Sequence, residues 1–137
     1  MPSYKIAELS FGSSRWNSVR QFNVDGVDFE IQRIGVESCA EALKRMIERF
    51  RSSVDAIAIS SLPTEIRFRD RVYTHRQALD IMSTPVSIPL CNGERLRELT
   101  EINGVTEFIR NGTIIPEDGI FFPIGLLHME ALSTLRE

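Results

Sequence analysis

The sequence contains few of the residues that cross-link small folds or bind metal ions. Its 137 residues include two cysteines, Cys39 and Cys91, and two histidines, His75 and His128. Two separated cysteines are too few for a disulfide framework, and no spacing of histidine and cysteine typical of a zinc site occurs. We therefore expect no metal site and a reducing cytoplasmic location. We expect Cys91 to be a buried small side chain and not a nucleophile.

The chain also lacks an excess of positive charge and any long apolar run. Its formal net charge is -3, whereas a protein that neutralises phosphates needs a basic surface. No apolar run reaches the length of a membrane span, and residues 1–10 lack the hydrophobic segment of a signal peptide. We expect neither nucleic acid nor a membrane as a partner.

Two phosphate-binding motifs are absent as well. Neither G-x-G-x-x-G nor G-x-x-x-x-G-K-[ST] occurs in the sequence, so a dinucleotide or nucleoside triphosphate site of the usual types is not encoded. What is present is an ordinary globular composition, with 42% hydrophobic and 26% charged residues. A chain of this length suffices for a single α/β domain over residues 1–137.

The segment from Val54 to Pro63 organises the rest of the prediction. It is mostly apolar and rich in β-branched residues, which indicates a parallel strand buried on both faces. A helix is predicted before it, opened by a capping box at Ser38-Cys39-Ala40-Glu41. Apolar residues then recur at helical spacing at Ala40, Leu43, Ile47 and Phe50. With the strand from Val27, this forms a strand–helix–strand unit whose two strands we expect to pair in parallel.

A hairpin is the clearest local feature. Val19–Val24 and Val27–Ile34 flank Asp25-Gly26, the residue pair that a type I′ turn favours. Along the second arm Val27, Phe29 and Ile31 alternate with polar residues, as in a half-buried strand.

The remaining segments complete an α/β pattern. We predict a first strand at Tyr4–Phe11, a small ribbon within Thr64–Thr74, a helix at His75–Met82 capped by Thr74, and a strand at Val86–Leu90. A helix carrying Leu96, Leu99 and Ile102 and interrupted at Asn103-Gly104, a strand at Ile120–Ile124 and a closing helix at Leu126–Arg136 follow. The fold class expected is a three-layer Rossmann-like or flavodoxin-like open sheet, mostly parallel, with an N-terminal β-hairpin.

Small polar residues follow several predicted parallel strands. Because the carboxyl ends of such strands share one edge of the sheet, we expect a ligand site there. Hydroxyls, turn amides and arginines suit an anionic or polyhydroxy small molecule. The candidate ligand-binding residues are Gly12, Ser13, Ser14, Arg15, Ser60, Ser61, Asn92, Gly93 and Arg95. Equally, these residue types form ordinary turns and caps, and no catalytic residue is identified.

Several short motifs resemble the opening of a bacterial family, the quinate/shikimate dehydrogenase-like proteins. They are Leu9-Ser10-Phe11-Gly12-Ser13-Ser14-Arg15, Arg33-Ile34-Gly35, Val54-Asp55-Ala56-Ile57, Arg71-Val72-Tyr73 with Arg76-Gln77-Ala78, and Thr84-Pro85-Val86. Their order and spacing agree over residues 4–90. The chain departs from the family at Ser60-Ser61, where glycines are usual, and after Thr84-Pro85-Val86, where Asp-Gly is replaced.

The resemblance implies a substrate-side, N-terminal domain of a dehydrogenase. NAD(P) would then bind on a downstream domain that this chain lacks, with no cofactor in the chain itself and no activity expected from it alone. The catalytic lysine–aspartate pair of that family has no matching motif here. Alternatives remain open: a free-standing ligand-sensing module, or an interaction or dimerisation module, which is favoured if the chain's own side chains fill the carboxyl edge.

Overall fold

The computed structural model describes residues 1–37, 39–60, 62–68, 71–115, 117–121 and 128–135. Contacts between residues group the chain into two compact units. The first comprises Met1–Thr64 and His75–Gly93, and the second comprises Glu65–Thr74 and Glu94–Glu137. One domain over residues 1–137 stays a prediction.

In chain order the strands are β1 Ser3–Ser10, β2 Ser18–Val24, β3 Val27–Gly35, β4 Ala56–Ser60, β5 Glu65–Phe68, β6 Arg71–Thr74 and β7 Leu90–Cys91. The helices are α1 Ala40–Phe50, α2 Arg76–Met82, α3 Glu94–Arg110 and α4 Met129–Thr134, with a 3-10 turn at Ser14–Trp16.

The first unit is built on a five-stranded sheet of order β2-β3-β1-β4-β7. Strand β1 is parallel to β3 and β4, and β4 is parallel to β7. Strand β2 pairs with β3 in the antiparallel direction. The predicted class is confirmed: the fold is α/β, with a mostly parallel sheet consistent with a Rossmann-like open sheet and an antiparallel pair near the N-terminus.

The hairpin of β2 and β3 forms around the predicted turn. Backbone φ is 50° at Asp25 and 81° at Gly26, as a type I′ turn requires at both centres. The Asn23 side chain accepts a hydrogen bond from the Gly26 N–H (3.0 Å) and donates one to Asp28 (2.7 Å). These contacts fix the register in which Val24 lies opposite Val27.

The hydrophobic core of this unit lies between the sheet and helices α1 and α2. Leu43 and Ile47 of α1 are fully buried, as their spacing predicts. They cluster with other buried apolar residues: Ala7, Leu9, Val36, Ile57, Ile59, Leu62, Ala78 and Ile81. Burial of this cluster stabilises the packing of both helices on one face of the sheet.

Strand β4 differs from its prediction in two respects. Ile57 and Ile59 are buried, but Ala56, Ala58 and Ser60 are only partly so, and burial on both faces is therefore wrong. The residues alternate between faces, and the sequence does not reveal that the second face is only partly buried, because alanine counts as apolar. The predicted pairing is wrong as well: β3 and β4 are parallel, but β1 lies between them.

Both helices of this unit begin at a different residue from the predicted one. The N-cap of α1 is Cys39, which makes no side-chain capping bond, and Ser38 lies outside the described residues. The N-cap of α2 is His75 and not Thr74; its Nδ1 accepts a hydrogen bond from the Ala78 N–H (2.9 Å). His75 therefore caps α2 as a serine or asparagine side chain usually caps a helix.

The predicted strand at 86–90 is reduced to β7, residues Leu90 and Cys91. Pro89 has no N–H to donate to a ladder. Its carbonyl still accepts a hydrogen bond from Ile57 N–H (2.9 Å), which starts the pairing with β4.

A row of aromatic side chains crosses the other face of the sheet, the one that does not carry Ala7 and Leu9. Tyr4, Phe29 and Phe22 are neighbours across β1, β3 and β2. Their rings stack, with centroids 5.8 Å apart for Tyr4 and Phe29 and 6.0 Å apart for Phe22 and Phe29. Tyr4 and Phe22 remain 45% and 44% exposed, so this face stays open to solvent at β1 and β2.

The second unit contains the predicted ribbon, β5 antiparallel to β6. Helix α3 is continuous through Asn103-Gly104, so the predicted interruption is wrong; a glycine inside a helix costs only about 1 kcal/mol. At the start of α4, Nδ1 of His128 lies 2.9 Å from Oε1 of Glu101 in α3. None of the described helices is both long and apolar enough to span a membrane.

The chain between α3 and α4 is described only in part. Ile120 and Phe121 are not in a strand, and residues 122–124 of the predicted strand lie outside the described residues. Residues 126, 127 and 136 of the predicted closing helix also lie outside the described residues. The middle of that predicted helix corresponds to α4.

Candidate functional site at the carboxyl edge of the sheet

Four parallel strands of the first unit end on one edge of the sheet. In the register of the sheet, Ser10 at the end of β1 lies opposite Gly35 of β3 and Ser60 of β4. Beyond β7, the Asn92 side chain donates a hydrogen bond to the Leu62 carbonyl (3.2 Å). The turns after β1, β4 and β7 therefore lie along the same edge.

The turn after β1 is organised by its own polar groups. Gly12 N–H donates to Oγ of Ser10 (3.1 Å), and Arg15 N–H donates to Oγ of Ser13 (3.3 Å). Ser14 donates from its N–H (3.0 Å) and its hydroxyl (2.8 Å) to Oε1 of Glu37. The amide and hydroxyl predicted to bind a ligand thus already bind a carboxylate of the chain itself.

Glu37 follows β3 and was not among the predicted residues. Its φ is 52°, in the left-handed region that a glutamate rarely adopts. The hydrogen bonds from the Ser14 N–H and then from the Ser14 hydroxyl lower the pKa of this carboxyl. Glu37 therefore remains ionised at neutral pH and closes the turn after β1 onto the end of β3.

Gly35 allows these two segments to approach closely. A Cβ at this position would lie 2.5 Å from the Ser13 carbonyl carbon and 2.6 Å from the carbonyl oxygens of Gly12 and Ser13. The Gly35 N–H donates to Oδ1 of Asn17 (2.7 Å). Any side chain here would push the two turns apart.

The end of β4 carries the only buried side-chain oxygen without a hydrogen-bond partner among the described residues, Oγ of Ser60. Buried hydroxyls in native proteins are nearly always paired. Ser10 lies opposite Ser60 in the register, is itself buried, and was not predicted as a site residue. Two serines therefore lie side by side at the centre of the carboxyl edge.

The chain leaves these two strands in opposite directions. After β1 it continues to β2 and β3 on one side of the sheet, and after β4 the next strand of this sheet is β7 on the other side. In open α/β sheets a crevice forms where neighbouring connections diverge in this way, and ligands bind there. Ser10 and Ser60 lie at that point.

Arg33 is a second residue that the sequence did not single out. It lies on the same sheet face as Ser10 and Ser60, and a Cβ placed on Gly12 would be 4.0 Å from its Nη2. Its side chain is 41% exposed, and its ion pair with Glu8 is long at 3.7 Å. The guanidinium is therefore available to an anion near the turn after β1.

The other predicted residues separate into three groups. Arg15 and Gly93 are exposed on the turns after β1 and β7, Gly93 with a φ of 69°. Arg95 belongs to the second unit, where its guanidinium pairs with Glu98 of α3 (3.1 Å). Ser61 lies outside the described residues.

Two further features bear on chemistry at this edge. Cys91 is exposed, so the expectation of a buried side chain is wrong. Among the described residues, no three histidine, cysteine or acidic side chains come together in a way that would hold a metal ion.

The first unit is thus an α/β domain with polar side chains at the carboxyl edge of a mostly parallel sheet. Residues 5–92 match the model of a family described as a domain of unknown function (DUF8753). Because this match covers more than half of the chain, the protein belongs to that family. No curated protein matches the sequence.

Proposed function

We propose that the first unit binds a small polyhydroxy or hydroxy-acid ligand in the crevice between the ends of β1 and β4. The observation that carries this proposal is the Ser60 hydroxyl, which is buried and unpaired among the described residues. Leaving such a group unpaired costs about 1–3 kcal/mol. A ligand hydroxyl placed at Ser60 would remove that cost and gain affinity from it.

Arg33 supports an acidic ligand. Strands lie about 4.8 Å apart, which places the Cα atoms of Arg33 and Ser60 roughly 12 Å from each other across β1. An extended arginine side chain covers about half of that span, and a small hydroxy acid fits the remainder. In this arrangement Arg33 binds the carboxylate and Ser60 binds a hydroxyl.

This set of contacts is narrower than the predicted one. The Ser14 donors hold Glu37, so a ligand that used them would have to displace that carboxylate. The proposed site therefore keeps two of the predicted residues, Gly12 and Ser60, and adds two that the sequence did not indicate, Ser10 and Arg33.

The resemblance to quinate/shikimate dehydrogenase-like proteins makes quinate and shikimate the first ligands to test. The turn after β1 does not fit NAD(P), because it lacks the glycine pattern and its Ser14 amide is already bound. A cofactor would need a separate domain, and we propose binding without turnover for this chain.

Isothermal titration with quinate, shikimate and simple hydroxy acids tests the proposal. Ser60→Ala should weaken binding, whereas Ser52→Ala, at an exposed serine before β4, should not. Arg33→Gln should weaken acids more than neutral polyols, and Arg45→Gln on exposed α1 surface serves as its control. A folded protein that binds nothing in this panel contradicts the proposal.

A second candidate function is that of an interaction module. The observation that favours it is the aromatic row in which Tyr4 and Phe22 are exposed on either side of Phe29, together with the closure of the turn after β1 by Glu37. An interaction module needs an open surface but no ligand. Absence of ligand binding in every titration, together with self-association of the protein, would support this second function.

A further inference from the structure

We propose that β2 pairs with β2 of a second copy of this chain, in the antiparallel direction, so that two five-stranded sheets join into one. Strand β2 is at the opposite end of the sheet from β7, and pairing there is separate from ligand binding at the carboxyl edge. The exposure, composition and hydrogen-bond pattern of β2 support the pairing.

Strand β2 is an unprotected edge. It has seven residues and ends the strand order of the sheet, and six of its seven residues are exposed. Natural edge strands are usually shortened, bulged, or protected by lysine or proline. Strand β2 contains neither residue and only one charge, Arg20, whereas the other edge, β7, has only two residues.

The hairpin turn determines which backbone groups point outward. In a two-residue hairpin the flanking residues, here Val24 and Val27, form a hydrogen-bonded pair. Every second residue of β2 from Val24 therefore bonds to β3. The Asp28 N–H confirms this alternation, since it donates to the Pro2 carbonyl on the other side of β3 (3.0 Å). The outward N–H and C=O groups are those of Val19, Gln21 and Asn23.

Pairing two copies of β2 selects one register. Outward groups must face outward groups, so odd-numbered residues oppose odd-numbered residues. Centring the pair on Gln21 aligns all seven residues and makes about six hydrogen bonds. A shift that centres the pair on Arg20 places two arginines together, and one that centres it on Phe22 shortens the overlap.

The chosen register also matches side chains. Arg20 lies opposite Phe22 of the second copy, on the open face of the sheet, where a guanidinium can lie over an aromatic ring. Val24 lies opposite Ser18. Because the two-fold axis is perpendicular to the sheet, the aromatic row of one copy continues into Arg20 and Ile31 of the other. This register therefore places no like charges opposite each other.

Analytical ultracentrifugation of the wild type and of Gln21→Pro tests the pairing. Proline at this position removes an outward N–H but no bond to β3, so the fold should persist by circular dichroism. Loss of the amide from both copies should raise the dimer Kd by at least about tenfold. Gln21→Ala keeps the backbone amide and should dimerise like the wild type.

Arg20→Glu is a second variant that cannot disturb the core, because the side chain is exposed. It should also weaken the dimer, whereas Arg45→Glu on α1 should not. A wild type that stays monomeric at hundreds of micromolar overturns the proposal. So does a Gln21→Pro variant that dimerises as tightly as the wild type.

Cross-linking tests the register. In a Cys39→Ser, Cys91→Ser background, Gln21→Cys should form an intermolecular disulfide, since hydrogen-bonded partners have Cα atoms about 5.5 Å apart. Asn23→Cys should not, because the two copies of residue 23 lie on opposite sides of the axis. The reverse pattern overturns the register. Ligand titration of Gln21→Pro separates this inference from the proposed function, because the carboxyl edge is unchanged.

Discussion

Replacing Gly35 with alanine is the most direct test of how the candidate site is built. The added Cβ would lie 2.5 Å from backbone of Ser13, whereas ordinary contacts begin at 3.4 Å. The turn after β1 must therefore move by about 0.9 Å relative to the end of β3. That movement breaks the fit between the Gly35 N–H and Asn17, and it pulls Ser14 away from Glu37.

The expected cost can be set from two contributions. Forcing an extra carbon against backbone costs about 1–3 kcal/mol, and loss of the Gly35–Asn17 hydrogen bond adds about 1 kcal/mol. Gly35→Ala should thus lower the free energy of unfolding by about 2–4 kcal/mol. For a chain of this size that corresponds to a fall in Tm of about 6–14 °C.

Urea denaturation followed by circular dichroism measures the change. The matched control is Gly104→Ala in α3, where an added Cβ meets nothing within 4 Å. The same chemical change there should stabilise the helix by about 0.5–1 kcal/mol, seen as slower hydrogen exchange of α3 amides. A loss below about 0.5 kcal/mol for Gly35→Ala, typical of a surface change, would refute the close approach of the two turns.

Three further outcomes follow from the packing and the caps. Leu43→Ala should cost about 2–5 kcal/mol in denaturant unfolding, because the side chain is fully buried; a smaller loss would mean that α1 is not seated in the core. His75→Ala should cost about 1 kcal/mol, while His75→Asn should restore the cap of α2, and equal losses would argue against capping. The lowered pKa of Glu37 means that its contribution to stability is present above the pKa of the unfolded chain and is lost as pH falls through the folded pKa. The stability gap between wild type and Glu37→Gln should therefore shrink on acidification in pH-dependent melts, and a gap independent of pH would contradict the contact with Ser14.

Sequence alone predicts those parts of this fold that depend on neighbouring residues. Asp25-Gly26 specifies the hairpin because both positions adopt positive φ. The spacing of Leu43 and Ile47 specifies the buried face of α1. Boundaries are less well specified, since His75 caps α2 with an imidazole, a role that composition does not signal.

The candidate site depends on contacts between residues that are distant in sequence, which is why only part of it was predicted. Ser14 and Glu37 meet because β1 and β3 are parallel neighbours, whereas the sequence favours β3 and β4 as the pair. Glu37 lies two residues beyond Gly35. A prediction that paired β1 with β3 would therefore have placed Glu37 near the turn after β1. Arg33 lies on the same face of β3 as Val27, Phe29 and Ile31 and so breaks the alternation, but its neighbours across the sheet are not visible in the sequence.

Strand β1 occupies the middle of the sheet although it precedes the other four strands of that sheet in the chain. It pairs with β3 as far as residue 35 and with β4 as far as residue 60. On a ribosome the local hairpin can close early, but β1 keeps a free side until the segment 56–60 has emerged, because distant pairings form late. A deletion that shortens this eight-residue strand therefore splits the sheet at its centre. A deletion in β7 would only remove an edge strand of the sheet.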